Sequence, residues 1–144
     1  MEPQTYTNPN QSLGFLLHQG AINWRRALAR ELRSIQLTPV QFFMLSSTSR
    51  LTSELKQGPV QKDVASNTLI DINVVSQVVR QLETRGLLLR ERDMHDKRAY
   101  RLSLSEEGLF KLRQAIKVIY KVDREFFTDS MNGSLLAEEL GKIV

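Results

Sequence analysis

Residues 71–104 read DINVVSQVVRQLETRGLLLRERDMHDKRAYRLSL, and this stretch decides the fold. Its first half places apolar residues at the three- and four-residue spacing of an amphipathic helix that begins at the N-cap Asp71 and ends before Gly86. Its second half holds two strand-length segments, 87–92 and 99–104, on either side of a short polar loop. The pattern therefore predicts a helix followed directly by a β-hairpin.

Two further helices are predicted upstream. Thr38-Pro39-Val40-Gln41 combines a Thr N-cap, a Pro at the first helical position and a Gln at the third, which predicts a capping box and a helix over 39–50. The polar segment 52–58 ends in Gly58-Pro59, a break before a helix over 60–67. Two short helices joined by about three residues and followed by a hairpin are typical of a winged helix-turn-helix.

Long helices are expected on both sides of this lobe. An apolar stripe runs along 13–35, and a second long helix begins at the cap Ser105 and continues to about residue 127, before a short helix that follows residues 132–134. The predicted fold class is mainly α with a small β-hairpin. These outer helices carry more apolar surface than the small winged lobe can cover, which favours a second copy as their partner. We expect a single domain made of a loose arm over 1–12, a dimerisation helix over 13–35, a winged lobe over 36–104 and dimerisation helices over 105–144.

The predicted helix over 71–85 has a face suited to DNA. At about 100° per residue, one face collects small polar side chains and a single arginine, with no acid, opposite a row of valines and leucine. The residues on this face are Asn73, Ser76, Gln77, Arg80 and Thr84. Any amphipathic surface helix has a polar face, so the face alone leaves that plainer interpretation open.

Charge supports a polyanionic partner more through its distribution than through its total. The 144 residues have a net charge of only +4, which many proteins without nucleic-acid partners share. Residues 80–101, however, hold seven basic residues against four acids, an excess of three around the predicted hairpin. We expect this hairpin to make a second groove contact.

Residues 87–108, LLLRERDMHDKRAYRLSLSEEG, resemble the wing signature of MarR-type regulators, with its Asp-x-x-Asp-x-Arg loop. Asp63-Val64-Ala65 and residues 79–86 fit the same register, and the resemblance covers 13–128. It implies a homodimer that places two lobes on a pseudo-palindromic double-stranded DNA operator. It also implies a transcriptional regulator, most often a repressor, that a small aromatic or anionic effector releases from DNA.

The resemblance also assigns roles to individual residues. The recognition helix, 71–85, would enter the major groove, and the wing, 92–100, would enter the minor groove. The helix contacts would come from Asp71, Asn73, Ser76, Gln77 and Arg80. The wing contacts would come from Arg92, Lys97 and Arg98, with Arg98 at the position of the family's minor-groove arginine. Asp93 and Asp96 would brace the wing.

The turn before the recognition helix departs from the family pattern, and the site of the effector stays open. The turn before the recognition helix lacks the usual permissive glycine, so we expect Asn67 to take its strained backbone conformation. An effector space between helices would be lined by Trp24, Arg25, Phe42 and Phe43, although all four also suit ordinary core and surface positions.

Other function classes have less support. The chain has no cysteine, which excludes disulfides, thiol nucleophiles and thiol-based sensing, and its two histidines accompany no recognisable metal or catalytic spacing. We therefore predict no enzyme activity and no cofactor. The N-terminus lacks a signal-peptide pattern and no segment could span a membrane, so we expect a cytoplasmic protein. A winged helix used for binding another protein remains the alternative.

Overall fold

The computed structural model describes residues 8–128 and 131–144, which fall into two compact units. One unit, the terminal unit, holds the residues up to Glu31 together with Val118–Val144. The other, Leu32–Lys117, is the winged unit. Two helices continue from one unit into the other: α1, Leu13–Leu32, and α5, Glu106–Phe126.

The winged unit has the predicted order of elements, which confirms the predicted fold class. Its remaining elements are α2 (Pro39–Leu55), α3 (Gln61–Thr68), α4 (Ile72–Thr84), β1 (Leu88–Arg92) and β2 (Tyr100–Leu104). The strands are antiparallel, with Leu88 opposite Leu104 at one end and Arg92 opposite Tyr100 at the other. The loop 93–99 therefore lies at the end of the hairpin opposite Leu88 and Leu104 and forms the wing.

The core of the winged unit fixes the orientation of α4. Val75, Val78, Val79 and Leu82 are buried on one side of this helix, which packs against α2, α3 and β1. The same core includes Leu45, Met44, Val64, Leu88 and Leu102, all fully buried. Because the valine side faces inward, the opposite face of α4 is the one left at the surface.

The start of α2 confirms the predicted capping box, but its end does not match the prediction. Thr38 and Gln41 each accept a hydrogen bond from the other's backbone N–H, at 3.2 and 3.1 Å. The predicted end at residue 50 is wrong, since the helix continues to Leu55. An Arg50–Glu54 ion pair of 2.7 Å and the buried Leu51 stabilise the extra turn.

The turn between α3 and α4 also differs from the prediction. Leu69, not Asn67, adopts the left-handed conformation, with φ of 56°. Asn67 remains inside α3, where its side-chain oxygen accepts a 2.7 Å hydrogen bond from the Ser47 hydroxyl. That contact with α2 explains why the residue better suited to a left-handed conformation is not the one that adopts it.

Two glycines shape the junction between α4, the hairpin and α5. Gly86 has a φ of 70° and follows α4 as the predicted C′ residue. Ser105 caps α5, accepting a 3.0 Å hydrogen bond from the N–H of Gly108. A Cβ on Gly108 would collide with the carbonyl oxygen of Leu87, so this position requires glycine for close packing.

The terminal unit contains the remainder of α1 and α5 and the short helix α6, Gly133–Gly141. The Trp24 indole donates a 2.7 Å hydrogen bond to Asp123, which joins α1 to α5. Lys121 also binds Glu31 at 2.7 Å, and this hydrogen bond raises the pKa of Lys121. A 3-10 turn at Pro9–Gln11 lies within the predicted arm, of which residues 1–7 fall outside the described residues.

A buried carboxylate organises the wing loop. Asp93 is 9% exposed and accepts hydrogen bonds from the backbone N–H groups of His95 and Asp96, at 2.8 and 2.9 Å. It also binds the Arg101 guanidinium at 2.5 Å, which in turn donates a 3.1 Å hydrogen bond to the carbonyl of Gly58. Hydrogen bonds hold the pKa of Asp93 well below its usual range. The bond from the N–H of Asp96 has the largest effect, followed by that from the N–H of His95 and then that from Arg101.

Replacing Asp93 with Asn should destabilise the protein at neutral pH. Since the folded-state pKa lies below that of an unfolded aspartate, the ionised group stabilises the fold above about pH 4, and this contribution is lost as pH falls through the folded-state pKa. Urea unfolding should therefore show a lower midpoint for Asp93→Asn at about pH 7, and the gap should narrow from about pH 5 to about pH 2.

Asp96→Asn provides the matched control, because Asp96 is exposed and accepts one hydrogen bond, from the N–H of Arg98. It should change the midpoint less than Asp93→Asn does. A gap between the wild type and Asp93→Asn that stays constant over the acid range would contradict the assigned role of the Asp93 charge.

Gly108→Ala should lower the free energy of unfolding by about 1–3 kcal/mol, because the added methyl group would collide with the Leu87 carbonyl. Gly20→Ala, also within a helix, meets no atom within 4 Å and should instead raise it by about 0.5–1 kcal/mol. Denaturant unfolding of both variants tests this contrast. Equal stability of the two variants would argue against the close approach at Gly108.

Candidate nucleic-acid interface

The outward face of α4 is the polar face that the sequence predicts. Asn73, Gln77, Arg80 and Thr84 are exposed, and Ser76 is half-buried. No acidic side chain lies among these five residues. The four buried apolar residues on the opposite side hold this face outward, so hydrogen-bonding groups are presented on a rigid element.

The first turn of α4 is held by Asp71. Its carboxylate accepts a 2.8 Å hydrogen bond from the N–H of Asn73, so it caps the helix as predicted. The predicted contact of Asp71 with DNA needs a different chemistry from that of the basic residues, because a carboxylate repels phosphate. It can accept hydrogen bonds from base amino groups.

Arg80 and Ser76 contact each other on the same face. The Arg80 guanidinium lies 3.2 Å from the Ser76 hydroxyl and 3.4 Å from its carbonyl oxygen. Both of these partners are neutral, and both contacts are long for hydrogen bonds. The positive charge of Arg80 is therefore not paired with a carboxylate here, and the guanidinium can leave Ser76 at little energetic cost.

The wing presents three exposed cations: Arg92, Lys97 and Arg98. Arg92 also stands over the Tyr100 ring, 5.9 Å from its centroid. Within residues 8–128 and 131–144, none of the three cations forms an ion pair with a carboxylate. The wing therefore presents cations that are not ion-paired within the described residues.

Other basic residues of the hairpin serve the scaffold. Arg101 is ion-paired with Asp93, and Arg90 is ion-paired with Glu83 of α4 at 2.8 Å. The bracing role of Arg101 was missed from the sequence, where it counted only as one more positive charge. The alternation of side chains along β2 predicts that Arg101 and Leu102 lie on opposite faces of the hairpin. It does not identify Asp93 as the partner of Arg101.

The four predicted effector residues divide between the two units. Trp24 and Arg25 lie on α1 in the terminal unit, whereas Phe42 and Phe43 are adjacent on α2 in the winged unit. Phe42 is only 5% exposed and belongs to the core. Its ring centroid lies 5.7 Å from that of Phe43. Packing thus accounts for Phe42 without a ligand.

The described part of the chain offers no grouping of three acidic or histidine side chains that could hold a metal ion. Among residues 8–128 and 131–144, no helix combines the length and apolar character needed to cross a bilayer. The chemistry available at this surface is hydrogen bonding from α4 and positive charge from the wing. Both suit recognition of a duplex.

Comparison with known proteins gives relatives of one kind. No family model matches the sequence. The chain is 37% identical over 126 residues to the uncharacterized HTH-type transcriptional regulator YdcH of Bacillus subtilis strain 168, covering 88% of this chain and 85% of that protein.

Solved structures share the fold at lower identity. A MarR-family transcriptional regulator from Rhodococcus sp. RHA1 superposes with a TM-score of 0.84 at 20% identity, over 96% of this chain and 94% of that one. BpsR of Bordetella bronchiseptica gives a TM-score of 0.83 at 20% identity, over 96% and 97%. The wing signature, the winged helix-turn-helix and these relatives agree: the chain belongs to the MarR family of transcriptional regulators.

Proposed function

We propose that this protein is a repressor that binds a pseudo-palindromic DNA operator and leaves it when a small effector binds. The observation that carries the proposal is the pairing of an acid-free polar face on α4 with a wing whose three exposed cations lack carboxylate partners among the described residues. The solved structure of BpsR concerns a mechanism by which 6-hydroxynicotinic acid regulates its DNA binding, which supports the same kind of cycle here.

We assign α4 to the major groove and the wing to the minor groove. Asn73, Ser76 and Gln77 have the side chains that read base edges, and Asp71 can accept a hydrogen bond from a base amino group. Arg80 would bind a guanine edge or a phosphate. Arg92, Lys97 and Arg98 would contact phosphates and the minor groove, while Asp93 and Asp96 hold the loop that presents them.

The terminal unit supports a homodimer. Leu13, Leu16 and Leu17 of α1 and Leu135 of α6 are each about half exposed or more, as is Ile143 beyond α6. Exposed apolar surface of this kind indicates a protein partner, and a second copy would place two recognition helices on one operator. The segments 13–35 and 105–144 would supply the dimer contacts, and 36–104 would form the DNA-binding lobe.

For the effector we propose a chemical class. A small aromatic or anionic molecule fits the example of BpsR. In the terminal unit, Trp24 and Arg25 are an aromatic and a cationic side chain suited to such a molecule. The sequence contains no cysteine, so peroxide sensing through a thiol is excluded. We further propose that the protein has no catalytic activity and works in the cytoplasm, where an operator would be available.

A homodimer predicts a solution mass of about twice 16.5 kDa by light scattering at micromolar concentration. Replacing Leu16 and Leu17 with Glu should shift the mass toward that of one chain, because two charges would enter an apolar contact. A wild-type protein that stays monomeric would contradict the proposed arrangement.

Selection of bound fragments from random DNA should yield an operator with two half-sites. Against that operator, Gln77→Ala should reduce discrimination at one base position by about 1–3 kcal/mol while leaving non-specific affinity nearly unchanged. Arg98→Ala should weaken binding to all sequences and reduce the slope of log K against log salt by about 0.9 for each phosphate that the variant no longer neutralises.

Arg50→Ala is a control for the Arg98 substitution, since it removes one positive charge at an exposed position on α2, outside the proposed DNA and dimer contacts. It should change the salt slope less than Arg98→Ala. If neither Gln77→Ala nor Arg98→Ala alters operator binding, the assigned interface is wrong. Binding of a protein partner that is insensitive to salt, with no DNA selected, would favour the alternative role as a protein-binding winged helix.

A further inference from the structure

A polar cleft of 1020 Å³ lies between the start of α2 and the second half of α4. Two arginines, three glutamines and two threonines line it, and no carboxylate does. Gln77 and Arg80, from the outward face of α4, form one wall, and Thr38, at the N-cap of α2, belongs to the opposite side. Such a composition suits an anion that accepts several hydrogen bonds.

Gln41 contacts three of the other residues that line this cleft. It is 9% exposed, and its Oε1 accepts hydrogen bonds from the N–H of Thr38 and from Nη1 of Arg85, both at 3.1 Å. Its Nε2 lies 3.4 Å from Oε1 of Gln81 on α4. One buried amide therefore connects the two helices and holds the Arg85 guanidinium at the edge of the cleft.

The two arginines that line the cleft, Arg80 and Arg85, are not ion-paired with a carboxylate within the described residues. Arg90 and Arg101 of the same unit are each ion-paired with a carboxylate, at 2.8 and 2.5 Å. The hydrogen bonds of Arg80 and Arg85, in contrast, go to neutral oxygens. Glu107 borders a neighbouring cleft that Arg85 also lines, but the two form no ion pair.

We propose that this cleft binds one phosphate group of the DNA backbone, with Arg85 as its cationic ligand and Gln41 as the residue that positions Arg85. A guanidinium matches the geometry of phosphate oxygens and can bind two of them at once. Because Gln77 and Arg80 line the same cleft, the bound phosphate would lie beside the bases that α4 reads. The proposal rests on the operator binding proposed above and adds residues outside the predicted interface.

The first test compares Arg85→Gln with Arg50→Gln, which removes the same charge from an exposed position on α2, outside the proposed DNA and dimer contacts. Arg85→Gln should reduce the salt slope of operator binding by about 0.9, the value for one phosphate, whereas Arg50→Gln should leave the slope unchanged. Wild-type binding of the operator together with an unchanged slope in Arg85→Gln would overturn this inference and leave the proposed function standing.

Neutral methylphosphonate linkages, placed one at a time along the operator, identify the phosphate concerned. One position per half-site should weaken wild-type binding but have no further effect on Arg85→Gln. If no such position exists, and inorganic phosphate at constant ionic strength competes with wild-type binding but not with Arg85→Gln, the cleft is a site for the free anion and the inference fails.

Gln41→Glu separates the proposed role from a structural one. Glu is an equally good third residue of a capping box and can still accept the hydrogen bond from Arg85. The exposed Gln81 can turn its amide so that it donates to the new carboxylate instead of accepting, so the unfolding midpoint should not fall. It adds a carboxylate to the cleft, and the salt slope should therefore decrease as in Arg85→Gln. Binding equal to that of the wild type would overturn the inference. Failure of the wild-type protein to select any DNA would instead overturn the proposed function.

Discussion

The packing of one side of α4 is the constraint on which the surface chemistry depends. Burying a valine or leucine side chain contributes about 1.5–3 kcal/mol, so the four inward residues of this helix together contribute an amount comparable to the whole stability of a small domain. Rotating α4 by a single residue, about 100°, would expose most of that apolar surface. The polar face is therefore held outward by interactions that make no contact with it.

The net charge of +4 does not show that the basic residues of the hairpin have two different roles. Arg101 and Arg90 are neutralised by neighbouring acids and join the hairpin to the rest of the winged unit. Lys97 and Arg98, a few residues away in the loop of the same hairpin, have no such partner among the described residues. A count of charges cannot separate these two groups, since the difference lies in which side chains fold back onto the protein.

Local signals in the sequence predicted the elements well, because each has a short-range physical cause. The capping box at Thr38 and Gln41 and the left-handed Gly86 are confirmed. Two errors had different causes. The end of α2 was placed too early because the Arg50–Glu54 ion pair and the buried Leu51 extend the helix. The residue of the left-handed turn was assigned wrongly because a longer-range contact prevailed. Asn67 has the better intrinsic preference for that conformation, but its hydrogen bond to Ser47, twenty residues earlier, keeps it helical and leaves Leu69 to make the turn.

The sites were less predictable than the fold for a related reason. Helical periodicity was sufficient to find the outward face of α4, yet Asp93 with Arg101 and Gln41 with Arg85 become neighbours only in the folded chain. Gln41 illustrates the limit, since its sequence context indicates a helix cap and gives no sign of a second partner 44 residues away. Pairings of this kind depend on how the helices pack.

The hydrogen bonds of the winged unit differ in strength in a way that suits reversible binding. Behind the proposed interface, Asp93 and Arg101 are 2.5 Å apart and both charged. On the interface, the contacts of Arg80 with Ser76 and of Gln41 with Gln81 measure 3.2–3.4 Å and involve at least one neutral group. The Arg80–Ser76 contacts are exposed and contribute only a few tenths of a kcal/mol, roughly, so DNA can replace them without a large cost. The strong ion pair keeps the wing in place while the weak contacts exchange, and the protein need not disrupt its own scaffold to bind or release an operator.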